Sequence, residues 1–161
     1  MEDLEISTGR LLAKEKLTIA CAESCTGGLL TSRLTDVAGS SAYVKGSIVS
    51  YSNEIKERLV GVRSDTLTGY GAVSEQTAGE MAEGIRRAIE ADIGVGVTGI
   101  AGPDGGTPQK PVGLVYIAVA GAQGTVISEN HFKGTRSEIK LQTTETALKM
   151  IKNYVSAGGR Q

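Results

Sequence analysis

Hydrophobic positions recur along this chain in two rhythms, one of period near 3.6 and one of short continuous runs, and their order predicts helices alternating with buried strands. Ile6, Leu11 and Leu12 in EISTGRLLAKEK lie near one helical face, and the closing lysines suit the negative end of a helix. LTIACA (17–22) follows as a buried strand. GGLLTSRLTDV (27–37) returns to helical spacing through Leu30, Leu34 and Val37, which makes the intervening AESCTGG a strand-to-helix turn. GSIVSY (46–51) predicts a second strand, and NEIKERLV (53–60) a short helix capped by Asn53. GVRSDTLTGYGAVS is a loop with two close glycines. EQTAGEMAEGIRRAIEA (75–91) places Met81, Ile85 and Ile89 four apart, with Ser74 as cap and Glu75 and Glu80 at the positive end of the helix. DIGVGVTG (92–99) is a buried strand running into the glycine-rich IAGPDGGTPQKP. VGLVYIAVAG (112–121) and TVISENHF (125–132), joined by AQG, predict a hairpin and so at least one antiparallel pair. The last helix, TRSEIKLQTTETALKMIKNYV (135–155), opens with the capping box Thr135-x-x-Glu138 and turns Ile139, Leu148, Ile151 and Val155 inward, and SAGGRQ (156–161) is expected to fray.

This alternation implies a three-layer α/β/α sandwich around a mixed, mostly parallel sheet, in a single domain spanning 1–161 with no linker or internal repeat. Composition refines the picture in two ways. Aromatic residues make up only 4%, so the core is aliphatic and no base-stacking platform is available. Lys plus Arg at 17 nearly balances Asp plus Glu at 18, which leaves no field for holding nucleic acid or anionic lipid. No apolar run approaches the roughly 20 residues that span a bilayer, and MEDLEISTGR lacks the order of a signal peptide, so a cytoplasmic protein is expected. Cys21 and Cys25 match neither a zinc pair nor a C-x-x-C motif, and with His131 the only histidine no His-rich metal site can form.

Four polar segments follow strands: ESCTGG, SNEIK, TGIAGPDGG and, after the hairpin, KGTRSE. In open α/β sheets ligands gather beyond the carboxyl ends of parallel strands, so these segments are expected to build one pocket. Ser24, just before a helix, has backbone N–H groups at Cys25 to Gly28 beside it that suit a developing negative charge; the same pattern also fits Ser24 or Thr26 acting only as a helix cap. Lys56 in the first turn of a helix meets an unfavourable macrodipole, which lowers its pKa toward that of a base; a solvated lysine is the simpler reading. Arg136, also in a first helical turn, is suited to clamp an anion or to reach solvent. GIAGPDGG could cradle phosphate but lacks the ending of a P-loop. Cys25 with His131 is a rival nucleophile and base, and Asp104 a rival Mg²⁺ ligand, although a buried thiol and a local turn cap account for them more simply.

Taken in order, AESCTGG, VAGSSAYVKGSIVSYSNEIK, GAVSE, VTGIAGPDGGTPQKPVG and GTR closely resemble the CinA C-terminal domain family of nicotinamide-nucleotide amidohydrolases, over nearly the whole chain. The resemblance implies hydrolysis of the carboxamide of nicotinamide mononucleotide to nicotinic acid mononucleotide and ammonia, in pyridine-nucleotide salvage, with no cofactor and no metal. It implies Ser24 as nucleophile, Lys56 as base of a Ser–Lys dyad and Tyr51 as a helper at the reacting end. Thr98 and Arg136 match positions that hold the nucleotide, and Gly27 and Gly28 the turn beside the nucleophile. The family's fold is an α/β/α sandwich, assembled as a dimer or larger homo-oligomer, and many relatives carry a further N-terminal domain resembling molybdopterin-binding proteins. Because some relatives have lost catalysis, a non-catalytic nucleotide-binding regulatory module is the alternative.

Overall fold

Strand β1 (Ile19–Glu23) is buried at every position, and its side chains divide by parity: Ile19 and Cys21 face one layer of helices, Ala20 and Ala22 the other. The apolar run Ile19–Ala22 is what a strand covered on both faces requires, and Glu23 closes it as a buried carboxylate. The computed structural model describes residues 2–158. The helix α1 (Leu4–Glu15) precedes β1 and α2 (Leu29–Thr35) follows it. Next come a 3₁₀ turn at Ser40–Ala42, β2 (Val44–Val49), α3 (Asn53–Val60), α4 (Ser64–Tyr70), α5 (Glu75–Ile89), β3 (Ile93–Gly99), the hairpin β4 (Leu114–Gly121) and β5 (Gly124–His131), and α6 (Arg136–Gly158).

The strands are ordered β2-β1-β3-β4-β5. β1 runs parallel to β2 and β3, β4 reverses against β3, and β5 reverses again, so four of the five strands point one way. Leu12 of α1, Leu30 and Leu34 of α2, and Leu148 and Ile151 of α6 cover one face with the larger core cluster. Val60, Met81 and Ile85 of α3 and α5 pack on the other. On that side α5 lies very close to β3: a Cβ on Gly94 would stand 2.1 Å from Ala82 O, and one on Gly96 2.3 Å from Ala78 O. Glycine at these strand positions is what lets the helix backbone settle on the sheet.

The expected α/β/α sandwich and hairpin are therefore present, with four local differences. The loop expected over 61–74 contains α4, whose capping residue Arg63 has no side-chain cap of its own. Its cap comes from α5: the Glu80 carboxylate accepts from Arg63 N–H at 2.8 Å and from Thr66 Oγ1 at 2.6 Å, instead of serving the start of α5. Helix α3 is capped by Ser52, whose hydroxyl accepts from Ile55 N–H at 3.2 Å, while Asn53 is already helical. Helix α2 starts at Leu29, because Gly27 and Gly28 hold φ values of +60° and +102° that a right-handed helix cannot contain. Residues 156–158 continue α6, anchored by buried Val155 and by Tyr154 Oη donating to Gly124 O at 2.8 Å; the rest of the expected frayed tail, 159–161, lies outside the described residues.

Candidate active site

The carboxyl ends of β1, β2 and β3 lie side by side, and the segments that leave them enclose a cleft of about 220 Å³. Ser24, Tyr51, Lys56, Thr98 and Arg136 all line it. Sequence reasoning missed Asn53 and the wall formed by Ala72 and Val73, residues just before α5. Gly27 and Gly28 are not part of the wall; they form the turn behind Ser24.

Lys56 projects from α3 back toward β1. Its Nζ lies 3.0 Å from Ser24 Oγ, 2.9 Å from the Ser50 carbonyl and 3.1 Å from the Tyr51 carbonyl. It is the largest fully buried side chain among the described residues, and only 1% exposed. Burial strips water from the ammonium and lowers its pKa below the ordinary lysine value. A neutral amine has two N–H groups and one lone pair; the two carbonyls match the N–H groups, leaving the lone pair for the Ser24 hydroxyl. This is the geometry in which an amine accepts a serine proton.

Arg136, at the first position of α6, reaches across the cleft. Its Nη1 donates to Gly102 O at 2.7 Å and its Nη2 to Tyr51 Oη at 3.2 Å. Tyr51 thus touches both charged groups, Arg136 through its hydroxyl and Lys56 through its carbonyl. Thr98 Oγ1 donates to Ala72 O at 2.7 Å, pinning the α4–α5 connection to β3 and leaving an oxygen lone pair.

The sequence profile of the CinA C-terminal domain matches residues 1–155. The chain belongs to the CinA C-terminal domain family. A competence-damage inducible protein of Halothermothrix orenii is 53% identical over 91% of the chain, and a CinA-like protein of Syntrophus aciditrophicus 51% identical over 98%. The chain spans 36% and 38% of their respective lengths. Among solved structures, the competence/damage inducible protein CihA of Agrobacterium tumefaciens superposes with a TM-score of 0.87 at 42% identity, covering 94% of this chain and 95% of that one. A CinA superfamily protein of Klebsiella pneumoniae gives 0.92 at 30% identity, covering 96% of both.

In this CinA domain the turn after β1 differs from the helix-cap reading of AESCTGG. Neither Ser24 nor Thr26 caps α2, whose capping residue Gly28 has no side chain. The cap is Glu23, a fully buried carboxylate that sequence reasoning did not single out. The turn is tied to β3 by Ser24 N–H donating to Val97 O at 3.1 Å, and closes on itself through Gly27 N–H to Ser24 O at 3.0 Å. Gly27 N–H is therefore committed, whereas among the described residues no backbone carbonyl accepts the N–H of Cys25, Thr26 or Gly28.

The rival groups lie differently. Cys25 lines the cleft, but burial pushes its thiol up to about 12, which keeps it protonated near neutral pH. His131 sits on β5 and pairs with Glu129 at 3.0 Å, outside the cleft. Asp104 is exposed in the loop after β3 and does not line the cleft. No group of three or more His, Cys, Asp and Glu side chains that could hold a metal occurs among the described residues, and no helix among them is long and apolar enough to cross a membrane.

Proposed function

We propose that this domain hydrolyses the carboxamide of nicotinamide mononucleotide to nicotinic acid mononucleotide and ammonia, in pyridine-nucleotide salvage. The observation that carries the reading is the buried Lys56 amine 3.0 Å from the Ser24 hydroxyl, with its pKa lowered by burial. Neutral Lys56 takes the Ser24 proton as Oγ attacks the amide carbon. The oxyanion is met by N–H groups of the 25–28 turn, drawn from Cys25, Thr26 and Gly28 because Gly27 is engaged. Protonated Lys56 then passes its proton to the leaving nitrogen, ammonia departs, and an ester on Ser24 remains. Water attacks that ester, gives a proton to Lys56, and the acid leaves as Ser24 is regenerated.

Arg136 binds the 5′-phosphate, Thr98 helps to hold the nucleotide, Gly27 and Gly28 shape the turn beside Ser24, and Tyr51 assists at the reacting end. Family resemblance extends the proposal to a homo-oligomer. Ammonia release from nicotinamide mononucleotide by metal-free protein tests the reading: Ser24→Ala and Lys56→Ala should each lose roughly a thousandfold or more in kcat. Full activity in either variant overturns the dyad. Binding of the nucleotide without ammonia release by the wild type marks a non-catalytic module instead.

A further inference from the structure

We infer that Glu23 is a positioning residue for the nucleophile, clamping the turn 24–28 between the end of β1 and the first turn of α2. The inference rests on the reading of Ser24 as nucleophile. Glu23 is 0% exposed and each of its oxygens accepts one hydroxyl and one backbone N–H. Oε1 takes Thr26 Oγ1 at 2.6 Å and Leu30 N–H at 3.0 Å; Oε2 takes Thr31 Oγ1 at 2.6 Å and Thr31 N–H at 2.9 Å.

The arrangement does more than cap a helix. A cap alone is ordinarily supplied by the residue at the helix start, which here is Gly28. The carboxylate comes instead from the preceding strand and spans the turn that carries Ser24. It occupies the positive end of α2, so the Leu30 and Thr31 N–H groups are not available to a substrate anion. Anion stabilisation beside Ser24 falls to the turn, and the Thr26 hydroxyl is the link from the carboxylate into the turn. On its backbone side Glu23 O accepts from Ser50 N–H at 2.7 Å, and Ser50 O accepts from Lys56 Nζ at 2.9 Å. Glu23 is therefore the junction that holds nucleophile, oxyanion donors and base in one fixed relation.

Two hydroxyl-to-carboxylate bonds of equal length, that of Thr26 buried and that of Thr31 partly buried, make the test. Thr26→Val removes the one that reaches the turn, and Thr31→Val the one that bypasses the turn and ties the carboxylate to α2 and, through Ser47 Oγ at 2.8 Å, to β2. A merely structural role predicts kinetic losses that follow the losses of stability in both. The clamp predicts a loss of stability in urea for both but kinetics that do not follow it: Thr26→Val lowers kcat roughly 10- to 100-fold with KM little changed, as expected for misplaced reacting groups, while Thr31→Val keeps wild-type kcat. Amide hydrogen exchange at Gly27 and Leu29, which bond to Ser24 O and Thr26 O, should quicken about tenfold or more in Thr26→Val alone. Thr26→Ser restores the hydroxyl and should restore both readouts. Wild-type exchange at Gly27 and Leu29 in Thr26→Val, equal kinetic losses in the two valine variants, or failure of Thr26→Ser to rescue, each overturns the inference. If the wild type releases no ammonia, the proposed function fails separately, and the exchange comparison still decides the clamp.

Discussion

Lys56 Nζ and Ser24 Oγ stand 3.0 Å apart inside the cleft although 32 positions separate them in the chain. Burial of the lysine and its two carbonyl partners give this pair both a chemical use and a cost in stability, and the two can be measured separately.

The cost follows from proton linkage. Folding lowers the Lys56 pKa, so between that lowered value and the ordinary lysine value the unfolded chain binds more protons, and stability rises with pH. The contribution is fully present above the unfolded pKa and is lost as pH falls through the folded one. Lys56→Met, which keeps an unbranched side chain without charge, should flatten this alkaline rise in urea titrations while abolishing turnover. An unchanged slope would remove Lys56 as its source.

The same shift predicts the pH dependence of activity. Only neutral Lys56 can accept the serine proton, so kcat should climb with pH along a limb whose midpoint lies below the ordinary lysine value. A kcat with no ascending limb anywhere below the ordinary lysine value would contradict a lysine base.

Arg136 holds Gly102 O and Tyr51 Oη without neutralising its charge. Arg136→Ala should raise the KM for nicotinamide mononucleotide about 10- to 100-fold, the range of a charge-assisted hydrogen bond, with a smaller fall in kcat. The corresponding riboside, lacking the phosphate, should show little difference between wild type and variant. An unchanged KM for the nucleotide refutes the phosphate role.

Cys25 adjoins Ser24, the proposed nucleophile, and burial pushes its thiol pKa up to about 12. Cys25→Ala should retain turnover of the same order as wild type, and intact-mass measurement should show slow alkylation at neutral pH. Loss of activity comparable to Ser24→Ala would transfer the nucleophilic role.

Gly84 of α5 is where α3 is seated: a Cβ there would stand 1.6 Å from Val60 O. Gly84→Ala should destabilise the fold by about 1–3 kcal/mol through overpacking and lower activity by shifting the helix that carries Lys56. Urea titration and ammonia release measured together check it; wild-type values in both would show that α3 yields at no cost.

The readable parts of this fold were those whose signals are local. The runs 17–22 and 92–99 are apolar enough to be strands in any context, and the reciprocal capping box is present as read, with Thr135 N–H to Glu138 Oε1 at 2.9 Å and Glu138 N–H to Thr135 Oγ1 at 3.2 Å. The unread parts depend on distant partners. Helix α4 is short and uncapped in its own sequence, and forms with a cap lent by Glu80 of α5. The cap of α2 likewise comes from Glu23, across a turn of left-handed glycines.

Residue order alone was sufficient to determine the alternation of helices and strands, the hairpin, the polar segments that follow the strands, and the family likeness, because periodicity, turn chemistry and motif spacing are properties of neighbouring residues. Residue types also identified Ser24, Lys56 and Arg136 as worth weighing, but taken alone left a surface lysine as the simpler reading of Lys56 and an active base as its rival. Tertiary structure excludes the surface lysine. Only packing α3 and α5 onto the sheet removes Lys56 from water, and only the parallel pairing of β1 with β2 and β3 brings Ser24, the Ser50 and Tyr51 carbonyls, and Thr98 to the same edge.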